Sequence, residues 1–463
     1  MPIEMTTQSE SKKLSKQESI HPIRKIWIAI STPFQVNFFY PLIERLKKNF
    51  DFILTARNHD RIFSMLDARG LDYFPVGLHG GSTLHGKLQA YARTVQELAP
   101  IIEREKPDLL LTERWPEAVR VAFGLNIPAW TIYYDERERH VNRMVFPLSA
   151  KVFTPSFYTR TELQESGVNP ENVVWFNGFH TCYLKGQTCA PASKNPFEKL
   201  GINSPIVLIR PEPEFATFFC QKQNILEKTV SFLANNGGLE NDFNVVVVPR
   251  TKEQAVRYAK YPVTVMVDAI PDNPVAYADV TVGAAETMLM EAFVLGKPAV
   301  STVYWEESKP VIELHRYIPH ITEPKEAAAK VINFLNPEEQ HKFREKAKLV
   351  TNLMENPIQK IEEEINNLCG EAEPALKSSS MRRGRLEIYM EILGLIAFRP
   401  LKITHIMQNA NLSYSKVRRS LAWLTNKNLV QKRRDLSSGL YFKTTPKGMV
   451  VLADYKKIAE KLF

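Results

Sequence analysis

Ala278-Asp279-Val280-Thr281-Val282-Gly283-Ala284-Ala285-Glu286-Thr287-Met288-Leu289-Met290-Glu291-Ala292-Phe293-Val294-Leu295-Gly296-Lys297-Pro298-Ala299-Val300 decides how the surrounding chain folds. A short apolar strand runs into a small-residue turn, one amphipathic helix and a second strand, which is the edge of a parallel α/β layer. The turn Gly283-Ala284-Ala285 lets backbone N–H groups come close to a ligand. The helix opening near Glu286 aims its positive end at the same place, where a phosphate is welcome. Thr287 and Met288 lie in its first turn. Glu291 follows about one and a half turns in, where its carboxylate can reach back and accept hydrogen bonds from a pair of ribose hydroxyls. The binding set on this stretch is therefore Gly283, Ala284, Thr287, Met288 and Glu291. The alternative is an ordinary βαβ unit with a tight turn and no ligand.

Two earlier strands end in charge. Ile206 to Ile209 is buried strand leading to Arg210, and prolines on both sides of Glu212 bar a helix and fix an extended loop. Phe243 to Val248 leads in the same way to Arg250. Two arginines at adjacent strand ends, facing the Gly283 turn, make an anion cradle in which Arg210 gives a bidentate contact to phosphate. Paired instead with Glu212 and Glu286, they would form a structural ion network.

The N-terminal half repeats the strand-and-helix alternation. Lys25 to Ile30 is a buried strand, and Ser31-Thr32-Pro33-Phe34-Gln35 turns into a helix with Phe38, Phe39, Leu42, Ile43 and Leu46 on one face. Ser31, Thr32 and Gln35 sit at the carboxyl edge of the sheet, where α/β folds bind ligands; Ser31 or Thr32 equally suits a helix cap. Further strands are read at 51–54, 73–77, 107–113 and 127–134, with a long amphipathic helix from Leu84 to Glu105. The last of these strands runs into Asp135-Glu136-Arg137-Glu138-Arg139-His140, a polar burst where acid–base groups belong. Glu113, Asp135, Glu136 and His140 are the candidates to deprotonate an acceptor hydroxyl or hold a sugar, against the plainer reading of a solvated helix face. Asp135 and His140 pair as metal ligands only on paper, and two ligands make no site, so no metal is expected.

Gly283 to Val300 resembles the donor-nucleotide site of GT-B glycosyltransferases and of UDP-N-acetylglucosamine 2-epimerases. There a Gly-rich turn opens a helix bearing a ribose-binding Glu, and a G-x-P turn follows, here Gly296-Lys297-Pro298. Taken with the N-terminal half, the chain looks most like the archaeal DUF354 family, a branch of that fold. The resemblance implies a nucleotide sugar, a UDP-sugar first, as substrate or ligand and no other cofactor. It also implies that His79, Gly80 and Gly81, at the start of the long helix, form part of an inter-lobe cleft. The match departs at Gly283-Ala284-Ala285-Glu286, where the family pattern has a run of glycines. An acid at Glu286 repels a pyrophosphate unless it points away.

From Arg382 the pattern changes to short helices. Leu386, Tyr389, Leu393 and Ile396 are read as one apolar face, Ile403 to Asn409 as a second helix, and Ser413 as the cap of a third that runs to about Asn426. In that third helix Val417, Leu421 and Leu424 face inward, leaving Tyr414, Ser415, Lys416, Arg418 and Arg419 outward, as a recognition helix presents side chains to a major groove. Two strands about a Ser-Ser-Gly turn make a basic wing bearing Lys432, Arg433, Arg434 and Lys443. This segment resembles the archaeal winged helix-turn-helix domains, which implies double-stranded DNA as a partner and, from the way such modules meet palindromic sites, a homodimer.

Charge agrees with that division. Of the formal net charge of +9, Met381 to Phe463 holds 17 Lys and Arg against 5 Asp and Glu, a net of +12, which leaves 43 against 46, or −3, for everything before it. A neutral body with a basic appendage is the footprint of a nucleic-acid-binding module. Cys182, Cys189, Cys220 and Cys369 have no paired spacing for zinc or a disulfide framework. No apolar run approaches the length of a membrane helix and the start is polar, so a cytoplasmic protein without a membrane span is expected.

The expected fold is α/β, two Rossmann-like lobes of GT-B type followed by a small winged-helix domain. The divisions are a disordered tail at 1–22, lobes at 23–180 and 205–370 joined by a linker at 181–204, a second linker at 371–381 and the winged helix at 382–463. Two functions compete. An enzyme would transfer or epimerise a sugar; a ligand-responsive regulator would bind the same ligand without turnover and alter DNA binding. The cleft chemistry favours the enzyme.

Overall fold

The computed structural model describes residues 23–462 apart from 79, 82, 186–194, 199–200, 203–204, 215–218, 220–222, 237–242, 267–272, 285, 306, 369–383, 398–399, 411 and 436–438. The expected tail and the 371–381 linker lie outside the described residues. The first lobe opens with β1 (Lys25–Ile30), α1 (Pro33–Leu46), β2 (Asp51–Asn58), α2 (Ile62–Asp67), β3 (Phe74–Leu78) and α3 (Leu84–Glu105). It continues with β4 (Leu109–Thr112), α4 (Pro116–Gly124), β5 (Ala129–Ile132), α5 (Arg139–Val145), β6 (Lys151–Pro155), α6 (Arg160–Glu165) and β7 (Val173–Phe176). Its strands are parallel in the order β3-β2-β1-β4-β5-β6-β7.

The second lobe contains β8 (Ile206–Arg210), α7 (Ile225–Asn236), β9 (Asn244–Val247), α8 (Lys252–Tyr258), β10 (Thr264–Val265), β11 (Val280–Gly283), α9 (Glu286–Val294) and β12 (Ala299–Ser301). The helices α10 (Lys309–Leu314), α11 (Pro324–Phe334), α12 (Pro337–Thr351) and α13 (Pro357–Leu368) follow. Its parallel order is β10-β9-β8-β11-β12. Both sheets reverse direction of growth beside their first strand, at β1/β4 and at β8/β11, and such switch points leave a crevice outside the carboxyl ends of the strands.

Continuous apolar strands form because both faces of each sheet are covered. Along β1, Trp27 and Ala29 pack with Leu110 in one layer, while Ile26, Ile28 and Ile30 join Leu109 and Leu111 in the other. That second layer continues through Phe179 and Tyr183 into Val207 and Phe293 of the second lobe, so apolar packing joins the two bodies. Register is pinned by carboxylates at the strand starts. Asp108 accepts the N–H groups of Arg24 and Lys25 at 2.8 and 2.9 Å, and Asp279 accepts that of Ile206 at 2.7 Å.

Two stretches depart from the sequence reading. The stretch 338–368, assigned whole to the second lobe, is two helices, α12 and α13, parted before Pro357, and the intervening residues bind the end of β7: Asn177 Nδ2 donates to Leu353 O at 3.0 Å and Glu355 accepts Asn177 N–H at 2.7 Å. Because α13 then packs on α1 and β7, the chain returns to the first lobe inside the stretch 205–370 assigned to the second. His180–Leu184, where the 181–204 linker was expected to begin, is a buried 3-10 turn against α9.

The C-terminal module has α14 (Arg385–Leu395), α15 (Ile403–Ala410), α16 (Tyr414–Asn426), a hairpin of β13 (Val430–Asp435) and β14 (Gly439–Thr444), and α17 (Pro446–Leu462). Leu401 makes a single antiparallel bridge to Phe442 at the edge of the wing. In α14 the inward face is Ile388, Ile392 and Leu393, with Leu386 at 56% exposure, because the helix turns its isoleucines to the core rather than the face beginning at Leu386. Among the described residues no helix is long and apolar enough to cross a membrane.

Candidate functional site

A cleft of ≈ 300 Å³ lies between the lobes, walled by the carboxyl ends of both sheets. From the second lobe come Arg210 after β8, Arg250 after β9, Asn273 before β11, and Ala284, Glu286, Thr287, Met288 and Glu291 around the start of α9. From the first come Phe34, Arg61, Arg114, Tyr134, Asp135 and Arg137, each just past a strand end.

Arg210 and Arg250 both line the cleft, and neither pairs with Glu212 or Glu286. Arg210 Nη1 donates to the carbonyl oxygens of Val248 and Pro249 at 3.0 and 3.1 Å, and Arg250 Nε to that of Pro211 at 3.1 Å. Carbonyls orient a guanidinium without neutralising it, and among the described residues neither arginine has a carboxylate within ion-pair distance. Burial first, then the charges of Arg250 and Arg61, drive the Arg210 pKa well below its usual range. Arg210 is buried and Arg250 is exposed, and two like charges on one cleft are relieved by an anion between them.

Glu286 does not oppose such a ligand. Arg137 grips it through Nη1–Oε1 and Nη2–Oε2 contacts of 2.8 Å each, and Ser308 Oγ donates to it at 3.1 Å. The same guanidinium holds Asp135 through Nε at 3.0 Å and Nη2 at 2.9 Å. Arg137 is thus a buried bridge from the first lobe to the helix N-terminus of the second. The acid at the family's glycine position is answered by an arginine from across the cleft.

Glu291 is buried at 5% exposure and accepts a hydrogen bond from Tyr183 Oη at 3.1 Å. Burial pushes its carboxyl up to about 7, against the hydrogen bonds from Tyr183 and Asn273 and the charge of Arg210. Gly283 has φ +149°, and a Cβ there would stand 2.4 Å from Arg210 O. It serves the close passage of β11 past β8 and does not line the cleft.

The first-lobe candidates divide. Asp135 lines the cleft but is committed to Arg137. Glu113 sits behind Tyr134, accepting its phenolic proton and lying 3.5 Å from Arg114 Nε and from Thr32 Oγ1. The burial of Tyr134 and the neighbouring Glu113 charge raise the phenol well above its usual pKa, so it stays a donor. Glu136 accepts from Tyr158 Oη and from Lys309 N–H, each at 2.7 Å, and fastens the lobes instead of facing the cleft. His140 is exposed on α5, outside the cleft. Gln35 is 1% exposed and accepts the Ser31 and Thr32 N–H groups, so these three residues cap α1, the plainer of the two sequence readings. Gly80 packs on the first turn of α3, where a Cβ would meet Gly86 O at 2.5 Å, and neither it nor Gly81 lines the cleft. His79 lies outside the described residues. Glu212 is buried away from the cleft, its backbone carbonyl bound by Gln254 and its carboxyl pushed up by burial.

Sequence reasoning missed Arg61, Arg114, Tyr134, Arg137 and Asn273. The signal was available for Arg114 and Arg137, since each follows a strand by a few residues, as Arg210 does. It also missed His180, which stacks on Tyr134 with ring centroids 4.0 Å apart and has both nitrogens buried with no hydrogen-bond partner among the described residues. Burial and the Arg114 charge hold its pKa down to about 3, so the ring is neutral.

In the C-terminal module Tyr414, Ser415, Lys416, Arg418 and Arg419 are all exposed on α16, as are Lys432 and Arg433 on β13. Arg434 lies on the same strand. Lys443 is half-buried and feels Arg316 and Glu313 of the second lobe, so it faces the body of the protein.

Two parallel-sheet lobes with a cleft at their facing carboxyl ends, followed by a three-helix unit with a wing, define a GT-B body carrying a winged helix. The model of the family described as protein of unknown function (DUF354) matches residues 24–358, and that of a winged helix-turn-helix family matches residues 382–463. The chain belongs to the DUF354 family. An uncharacterised protein of Methanocaldococcus jannaschii is 30% identical over 326 residues, which are 67% of this chain and 90% of that protein. Among solved structures, the Staphylococcus aureus MnaA–UDP co-structure is similar at 13% identity and a TM-score of 0.57, covering 74% of this chain and 96% of that one. The UDP-GlcNAc 2-epimerase of M. jannaschii in complex with UDP-GlcNAc and UDP is similar at 16% identity and a TM-score of 0.54, over 74% of this chain and 99% of that one. At these identities the likeness is one of fold.

Proposed function

We propose that the cleft binds a nucleotide sugar, a UDP-sugar first, and that the protein transfers or epimerises the sugar. The observation that carries this is the pair Arg210, which is buried, and Arg250, both lining the cleft with no carboxylate partner among the described residues, on the same cleft as the buried carboxylate of Glu291. The guanidiniums suit a diphosphate, and Glu291 suits two ribose hydroxyls. On the opposite wall Tyr134, backed by Glu113, offers a phenolic donor at the sugar end, with Arg114 beside it to stabilise developing negative charge. The fold shared with structures solved with UDP and UDP-GlcNAc supports the choice of nucleotide.

A second reading is favoured by the exposed basic face of α16 and by the commitment of Asp135 and Glu136 to lobe-closing bonds. In it the body senses the ligand and the winged helix, bound to double-stranded DNA, reports it. A thermal-shift screen of UDP, GDP, TDP, CDP and their sugars, on the intact protein and a Glu291→Ala variant, tests the site common to both. At a hundred times the dissociation constant the stabilisation is about 2.7 kcal/mol. A shift lost in the variant is the expected result, and no shift with any nucleotide overturns both readings. Consumption of the bound sugar nucleotide then selects the enzyme, and retention without turnover selects the sensor.

A further inference from the structure

The loop after β12 carries a cluster that the cleft chemistry does not use. Glu307, His315 and His320 each bring one donor atom to within 4.8 Å of the others. His315 Nδ1 lies 3.2 Å from Glu307 Oε2, and His320 Nδ1 3.6 Å from Glu307 Oε1. The far edges of both rings are held, His315 Nε2 by Ser301 Oγ at 2.8 Å and His320 Nε2 by Val303 O at 2.7 Å. A carbonyl only accepts, so His320 Nε2 carries the hydrogen and the neutral ring turns the lone pair of Nδ1 toward Glu307, which also only accepts. Two acceptors facing each other call for a positive charge between them.

Far-edge nitrogens held by the protein, with near-edge nitrogens converging on a carboxylate, are how histidines are oriented at metal sites. With bonds of about 2.0–2.1 Å and tetrahedral angles, the donors around a zinc ion stand about 3.3–3.4 Å apart. The observed 3.2 and 3.6 Å bracket that spacing. We propose that Glu307, His315 and His320 form a site for a divalent transition metal, zinc by its two imidazoles and one carboxylate, with the fourth position taken by water. The rings stack with centroids 4.0 Å apart at 15°, so binding requires them to splay until both Nδ1 lone pairs meet the ion. His320, with 32% of its side chain exposed against 10% for His315, is the ring that turns.

The position gives the ion a structural consequence. Glu307 immediately precedes Ser308, the N-cap of α10 and a donor to Glu286, and His315 is the C-cap of the same helix. A bound metal ties both ends of a six-residue helix whose N-cap bonds Glu286 of the cleft wall.

The test uses the full-length, tag-free protein, stripped with chelator and titrated with Co²⁺, then with Zn²⁺ as competitor. One equivalent of cobalt with visible d–d absorption, displaced by zinc, is expected. Affinity should fall at least tenfold in Glu307→Gln, His315→Gln and His320→Gln. Should the interior His315 variant fail to fold, His320→Gln, on the exposed side, keeps the test decisive. No saturable cobalt site in the wild type, or equal affinity and stoichiometry in His320→Gln, overturns the proposal.

Discussion

Glu291→Gln should stabilise the free protein above neutral pH and do nothing for it in acid. Burial raises the folded-state pKa of this carboxyl from 4.5 to about 7. A raised folded pKa means the native state binds the proton more tightly than the unfolded chain. The associated stability is present in full below about pH 4.5 and is lost as pH rises through about 7. The difference of about 2.5 units, at 1.36 kcal/mol per unit, makes the ionised form costly by about 3 kcal/mol. Glutamine keeps an acceptor for Tyr183 Oη and removes the charge. For an unfolding unit of roughly 330 residues, at about 2.1 cal/mol/K per residue, 3 kcal/mol is a Tm shift of about 4 °C. Differential scanning calorimetry at pH 8.5 should therefore place the variant up to that much above the wild type, with the gap closing by pH 4.5. Nucleotide affinity of the wild type should rise between pH 6 and 8 as the carboxylate becomes available to accept ribose hydroxyls. A variant destabilised equally at both pH values would refute the reasoning, since it would make Glu291 a hydrogen-bond anchor instead of a buried charge.

Arg137→Met leaves Asp135 and Glu286 buried without their cation, and should cost about 3–5 kcal/mol in chemical denaturation, with the lobes opening as a larger radius of gyration in X-ray scattering. Gly283→Ala sets a Cβ 2.4 Å from Arg210 O at a φ of +149°, and should lower stability by about 1–3 kcal/mol or more and disturb the cradle along with the β8–β11 pairing, seen as a lower Tm and a lost nucleotide shift. Replacing Arg418 and Arg419 together by alanine should weaken duplex binding and reduce the slope of log K against log salt by about 1.8, measured by fluorescence anisotropy, while leaving the nucleotide thermal shift intact.

The division into lobes and appendage was legible because apolar strand periodicity, strand-end charge and the +12 of residues 381–463 are local properties of the chain. Arg210, Arg250 and Glu291 were legible for the same reason, each being placed by its own strand or helix. What local pattern cannot carry is a partner from across the cleft. Glu286 read as an obstacle to phosphate until Arg137, 149 residues earlier in the chain, was found gripping it. Ser31, Thr32 and Gln35 show the opposite limit, two readings that the sequence alone holds level. Their position at the sheet edge is correct, but Gln35 turns back to cap its own helix, and side-chain direction is not written in spacing. The return of α13 to the first lobe was hidden because an amphipathic helix shows which face is buried and not against what.

The placement of charge around the cleft also says how a ligand must enter. Glu286, Glu136 and Glu162 are each bonded across the lobes, Glu286 to Arg137 and the other two to Lys309 at the start of α10, while Asp135 holds Arg137 from its own side. The acidic groups nearest the cleft are therefore used in closing it, whereas Arg210 and Arg250 keep their charge for the interior. A diphosphate arriving at those arginines stands beside Glu286, and the site tolerates that only while Arg137 remains on Glu286. Ligand binding and lobe closure are then favoured by one interaction. On the proposed reading, opening the cleft would withdraw Arg137 and expose Glu286 to the diphosphate, making the open form the one that releases it.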